Sequence, residues 1–133
     1  MTEQIKIHHI AVAVDDFDAA LAFWRDALGL TLGGVEDVPE QEAQVAFLPV
    51  GDSHVELVKP TSDDIGMARY IQKHGPGIHH LCLEVMDIDA ALEALKARNI
   101  HLINETPLMR ENGRRYAFIH PKSTGGVLIE LYE

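Results

Sequence analysis

The sequence predicts an α+β protein of two tandem β-α-β-β-β modules whose strands form a curved mixed sheet around a metal-binding cavity. Three observations predict it. The chain repeats itself at an offset of 71 residues, each copy sets one helical segment among runs of strand periodicity, and each copy brings one histidine and one carboxylate to the same strand face. Ile7-His8-His9-Ile10 returns as Ile78-His79-His80-Leu81, Asp18-Ala19-Ala20-Leu21 as Asp89-Ala90-Ala91-Leu92, and Ala46-Phe47 as Ala117-Phe118. Glu56-Leu57-Val58 returns as Glu130-Leu131-Tyr132 at an offset of 74, so the second copy carries three extra residues before its last strand. Matches in this order divide a single domain, residues 1–133, into modules of about 1–61 and 77–133 with a helical linker over 62–76.

Taken in order, residues 8–14 alternate in a β-branched run and read as the first strand. A helix follows, with Asp15 or Asp16 as N-cap, Phe17, Leu21, Trp24 and Leu28 on its buried face, and Gly29 as its stop. Strands are predicted over 31–36, 43–50 and 53–58, the last two joined by a turn at Gly51-Asp52. Residues 63–74 read as the linking helix, ended by Gly75-Pro76-Gly77. The second module repeats the pattern: strand 79–85, helix 88–98 with Asn99 in the place of the capping glycine, then strands over 101–104, 115–120 and 127–132.

Composition bounds the function. The chain is 47% hydrophobic and 24% charged, which fits a globular protein and excludes a disordered tail or a fibre. Eleven Lys and Arg face 21 Asp and Glu, and the net charge of -10 argues against a surface that coats nucleic acid or anionic membrane. The one cysteine, Cys82, permits no intrachain disulfide. The opening residues lack the apolar run of a signal peptide and no stretch has the length of a membrane span, so the expected location is the cytoplasm. The base rate for soluble proteins makes a homodimer the expected assembly.

Alternation then selects the chemistry, because residues two apart share a strand face. His8 travels with Ile10, Val12 and Val14, a set suited to packing under the helix. His9 travels with Ala11 and Ala13, whose small side chains predict an open face. In the second module His80 travels with Cys82, expected as a small filler, and Glu84. Glu56 lies between Val55 and Leu57, and Glu130 between Ile129 and Leu131, so both carboxylates are expected on that same open side. Neutral imidazoles with carboxylates suit zinc, manganese, cobalt, nickel or ferrous iron. His9, Glu56, His80 and Glu130 are the predicted metal ligands. His54, His74 and His101 have no repeat partner and are expected at the surface.

These residues resemble the vicinal oxygen chelate superfamily, the fold of glyoxalase I, extradiol dioxygenases and bleomycin-resistance proteins, and within it the methylmalonyl-CoA epimerase family. The likeness runs through His-His-Ile-Ala-Val-Ala-Val from His8, Val-Ala-Phe-Leu-Pro-Val-Gly-Asp from Val45, Glu-Leu-Val-Lys-Pro from Glu56, and Gly-Ile-His-His-Leu from Gly77. Its most specific stretch is His-Pro-Lys-Ser-Thr-Gly-Gly-Val-Leu-Ile-Glu-Leu from His120. The family's ligand positions match the same four residues, and the resemblance implies a divalent cofactor, cobalt, manganese, zinc or nickel. A family glutamate on the third strand, a second acid/base group, aligns with Gln44. An amide cannot exchange that proton, and Glu42, two residues earlier, is the expected substitute.

The resemblance implies epimerisation of an acyl-CoA, with C2 of methylmalonyl-CoA losing its proton and a metal chelating both substrate oxygens as the enolate forms. Glu130 would be ligand and base at once, with Glu42 or a water opposite. For the CoA phosphates, residues 107–123 carry Arg110, Arg114, Arg115 and Lys122 against Glu111 alone. Arg115, Lys122, Ser123, His120 and Gln44 are the expected substrate contacts. Two other functions stay open: a glyoxalase I-type lyase acting on a hemithioacetal, and a non-catalytic binding protein of the bleomycin-resistance kind.

Overall fold

The computed structural model describes residues 4–63 and 66–133 of the 133. Residues 64 and 65, inside the segment predicted as the linking helix, lie outside the described residues, as do residues 1–3. The chain runs β1 (Lys6–Ala13), α1 (Phe17–Leu21), β2 (Gly34–Val38), β3 (Ala43–Val50), β4 (Ser53–Pro60), α2 (Gly66–His74), β5 (Gly77–Glu84), α3 (Ile88–Ala97), β6 (Leu108–Met109), β7 (Arg115–Ile119) and β8 (Ile129–Tyr132). That is the α+β, twice-β-α-β-β-β order the repeat predicts. Backbone contacts group the chain into two compact units, residues 9–79 and, separately, the described residues up to His8 with 80–133.

In the unit of residues 9–79 the strands lie in the order β2-β3-β4-β1, with β1 parallel to β4 and the other neighbours antiparallel. Asp16 caps α1 by accepting from the amides of Asp18 and Ala19. After Leu21 the helix widens into a π turn over Ala22–Ala27, where the Leu28 amide donates to the Phe23 carbonyl five residues back. The wider turn carries Leu28 off the predicted face and leaves it exposed. Leu30, whose amide bonds the Trp24 carbonyl, takes its place in a core of Val14, Leu21, Ala46, Leu48, Val55 and Leu57. Gly29 ends the helix at φ 93, as expected for a C-terminal stop. Strand β2 begins three residues later than predicted, at Gly34, and just before it the Gly33 amide donates to the Phe47 carbonyl at 2.7 Å, so close to β3 that a Cβ would stand 3.3 Å from that oxygen.

The opposite face of this unit is not open. Ala11 and Ala13 are fully buried, and Ala11 packs with Ala43, Val45 and Val58 under Val38, Phe47 and Met67 of α2. The small residues make room for that cover.

The other unit orders its strands β5-β8-β7-β6, with β5 parallel to β8. Its core is Val85, Ile88, Leu92, Leu102, Ala117, Ile119 and Leu131 under α3. Asp87 caps α3 through the Ala90 amide, and Asn99 takes the left-handed conformation at φ 61 that the repeat assigns it. Residues 101–104, predicted as a strand, form only a bridge from Leu102 to Ile119. The cause is Asn104: its side-chain oxygen accepts from the Phe118 amide, so a side chain stands where a ladder partner would. The strand beside β7 is instead Leu108–Met109. Among the described residues no helix is long and apolar enough to cross a membrane.

Candidate functional site

In residues 9–79, β4 is hydrogen-bonded on both sides, and register decides what surrounds its polar residues. Glu56 is set between Ala11 of β1 and Phe47 of β3, and His54 between His9 and Pro49. A small side chain on one flank leaves room for a carboxylate, and a phenyl ring on the other limits its rotation. Glu56 Oε2 lies 3.1 Å from His9 Nδ1 and 2.8 Å from His54 Nε2. The two imidazoles stack with centroids 5.3 Å apart, and one donor atom from each of His9, His54 and Glu56 falls within 4.8 Å of the others. His9 is buried, and the other two are half-buried.

Residues 80–133 repeat the device. Glu130 on β8 is set between Cys82 of β5 and Phe118 of β7, the counterparts of Ala11 and Phe47. His80 Nε2 lies 3.0 Å from Glu130 Oε1, and the Phe118 ring meets the His80 imidazole edge-on at 5.5 Å. Glu130 is 1% exposed. A carboxylate this deep is costly without a positive partner. Arg110 provides one, its Nη2 donating to Glu130 Oε2 at 2.7 Å while its guanidinium lies 3.7 Å above the Tyr116 ring. Each unit thus pairs a buried imidazole with a carboxylate oxygen, a donor set that fits a divalent transition metal.

Sequence reasoning misassigned two of these residues: His54, expected at the surface, is half-buried against Glu56, and Arg110, counted among the cations for the CoA phosphates, is paired to Glu130. His54 has Leu128 as its repeat counterpart and Arg110 has Pro39, so self-similarity, which found the four principal residues, passes over both. Alternation along β4 already placed His54 on the face of Glu56, and that signal could have found it.

Other expectations need correction. Gln44 lies on the opposite face of β3, with Ala46 and Leu48, and its Nε2 donates to Asp37 Oδ1 at 3.0 Å across the β2–β3 pair. Val45 and Phe47 occupy the carboxylate face instead. Glu42 is exposed, stands outside β3 after a 3-10 turn over Pro39–Gln41, and takes φ 47, so strand alternation does not carry it to that face. The basic run is largely consumed by internal pairs. Arg114 meets Glu84 at 3.3 Å, and Arg115 meets Glu133 at 2.6 Å and Asp89 at 3.0 Å. Hydrogen bonds donated to Glu133 and then Asp89 hold the Arg115 guanidinium above its ordinary pKa. The Ile88 amide, at the start of α3, and then Arg115 hold the Glu133 carboxyl below its own.

Lys122 is exposed and makes no ion pair among the described residues. His120 Nδ1 accepts from the Lys122 amide, Ser123 Oγ accepts from the His101 amide, and the His101 and His120 rings stack at 4.4 Å.

The family model that matches the chain describes the Glyoxalase/Bleomycin resistance protein/Dioxygenase superfamily and spans residues 8–118. The mitochondrial methylmalonyl-CoA epimerase of Mus musculus is 37% identical over 95% of this chain and 71% of its own length. The ethylmalonyl-CoA/methylmalonyl-CoA epimerase of Cereibacter sphaeroides is 34% identical over 95% and 96%. A variant of the Streptomyces coelicolor methylmalonyl-CoA epimerase, solved with 2-nitronate-propionyl-CoA, superposes with a TM-score of 0.84 at 31% identity, covering 96% of this chain and 92% of that one. Plant lactoylglutathione lyases match more weakly, at 25% to 26% identity over 43% of their length.

Proposed function

We propose that this chain, which belongs to the methylmalonyl-CoA epimerase family of the glyoxalase/bleomycin resistance protein/dioxygenase superfamily, is an isomerase that interconverts (R)- and (S)-methylmalonyl-CoA. One observation carries the reading: a buried histidine beside a carboxylate recurs in both units at the same register, flanked each time by a small residue and a phenylalanine. In this reading His9, Glu56, His80 and Glu130 hold one divalent ion, cobalt, manganese, zinc or nickel. When bound, the ion supplies a Lewis acid for the carboxylate and thioester oxygens of the substrate.

The protein side of the reaction falls to few groups. The histidines serve as neutral nitrogen donors, their rings fixed by Phe118 on one side and by the His54 stack on the other. Glu130 takes the C2 proton and a water delivers a different one to the opposite face, the hydroxide left behind being neutralised by the proton on Glu130; water has this role because Gln44 points away and Glu42 stands outside the strand. Burial of Glu130 limits bulk solvent at that carboxylate and strengthens its electrostatics. Exposed Lys122, with Ser123 and His120, is the proposed hold on the CoA phosphates.

Incubating purified protein with methylmalonyl-CoA in deuterated solvent tests the proposal. C2 deuterium should enter only with a divalent ion present, stop on adding a chelator, and resume when metal is restored. The ion that restores the fastest exchange identifies the working cofactor. No exchange with any ion, together with turnover of a hemithioacetal, would move the assignment to a glyoxalase-type lyase. A homodimer and a cytoplasmic location complete the proposal, tested by sedimentation of the purified chain and by cell fractionation.

A further inference from the structure

Arg110 is held in place more firmly than a surface arginine. It opens the turn between β6 and β7, where its amide donates to the Arg114 carbonyl at 2.7 Å and its own carbonyl accepts from the Gly113 amide at 3.0 Å. Asn112 ties the same turn to β8 by donating to the Tyr132 hydroxyl, and Arg114 Nε donates to the Glu133 carbonyl. The guanidinium is then clamped between the Tyr116 ring and Glu130 Oε2, with only 15% of the side chain exposed. Glu130 divides its two oxygens, Oε1 towards His80 and Oε2 towards Arg110.

Charge decides what this arrangement does. Two neutral imidazoles and two carboxylates cancel a divalent ion, so Arg110 leaves the loaded centre with one positive charge. We propose that Arg110 is the built-in counter-ion of Glu130, holding that buried carboxylate before metal loading, opposing the metal's charge afterwards, and so selecting acyl substrates that carry a free carboxylate. The proposal rests on the four-ligand reading above and deepens it to a specificity determinant. Two effects of opposite sign compete at Arg110. Loss of an orienting partner would weaken metal binding, whereas loss of a full positive charge paired to a carboxylate that would hold the ion, at a site of low exposure, would strengthen it by more.

Calorimetric titration of Co2+ into the unaltered chain, Arg110→Lys and Arg110→Met, with thermal unfolding of each free and loaded form, tests this. Arg110→Met should bind Co2+ at least about tenfold more tightly and gain more in Tm on loading, while Arg110→Lys keeps the affinity of the unaltered chain. The KM of loaded Arg110→Met for methylmalonyl-CoA should rise about tenfold, with binding of propionyl-CoA, which lacks the free carboxylate, unchanged. Equal or weaker Co2+ binding by Arg110→Met overturns the proposal. Arg110→Gln replaces it if the methionine variant does not fold. His80→Ala separates the two levels: if it loses Co2+ while Arg110→Met matches the unaltered chain, only the counter-ion role fails. If His80→Ala binds Co2+ undiminished, the four-ligand reading fails as well.

Discussion

Glu130 is the residue on which chemistry and stability meet. It is the most deeply buried carboxylate of the described chain, set between two ladders and paired to Arg110. Glu130→Gln preserves shape and removes the charge. C2 exchange should fall by at least about a hundredfold, since the proposed reaction gives Glu130 both the proton and a share of the metal. Urea unfolding of the metal-free form should shift down by about 1–3 kcal/mol, because Arg110 is then left partly buried without its anion. An unchanged exchange rate would remove Glu130 from the reaction. The small flanking residues invite a second test. Cys82→Leu puts a larger side chain beside Glu130 in a fully packed position and should cost about 1–3 kcal/mol in the same measurement. The four principal residues were legible because duplication prints them twice. His54 and Arg110 occur once each. Gln44 was placed by resemblance, whereas alternation within β3 sets it on the face away from Glu56, and Glu42, in a left-handed conformation outside the strand, does not continue that alternation.

Among the elements, α3 shows how a terminus is secured from a distance. Glu133 accepts from the Ile88 amide at 3.0 Å while paired to Arg115, and those two partners hold its carboxyl below the ordinary value of 4.5. A depressed carboxyl contributes stability that is complete above that ordinary value and lost as pH falls through the folded one. Denaturant unfolding should therefore weaken below about pH 4.5, and Glu133→Gln should flatten that part of the profile; an identical acid limb would place the effect elsewhere. At the other end of α3, Asn99 holds φ 61, a conformation that a β-branched residue resists. Asn99→Val should lower Tm, at a cost of about 1–2 kcal/mol, and Asn99→Gly should leave it nearly unchanged. Strand and helix order were legible from periodicity. The π turn after α1 was not, because it depends on tertiary packing of Leu30 in place of Leu28. The bridge at Leu102 was not, because a polar side chain can replace a backbone partner without altering the pattern of apolar residues.

For the whole molecule, each unit sets its carboxylate on a strand bonded on both sides, β4 between β3 and β1, and β8 between β7 and β5. Amides of β4 and β8 should consequently exchange most slowly with deuterated water in native conditions, ahead of β2 and β6 at the margins. Fast exchange at Leu57 or Leu131 would show that the strands carrying Glu56 and Glu130 are not a rigid frame. The same placement separates what stays fixed from what varies. The paired histidines and carboxylates stand within ladders, whereas His54 and Arg110 answer to Leu128 and Pro39 across the repeat. A mutation at one of these unmatched positions acts directly on the neighbourhood of one carboxylate only, which gives selection a way to retune a duplicated device without rewriting the residues its two copies share.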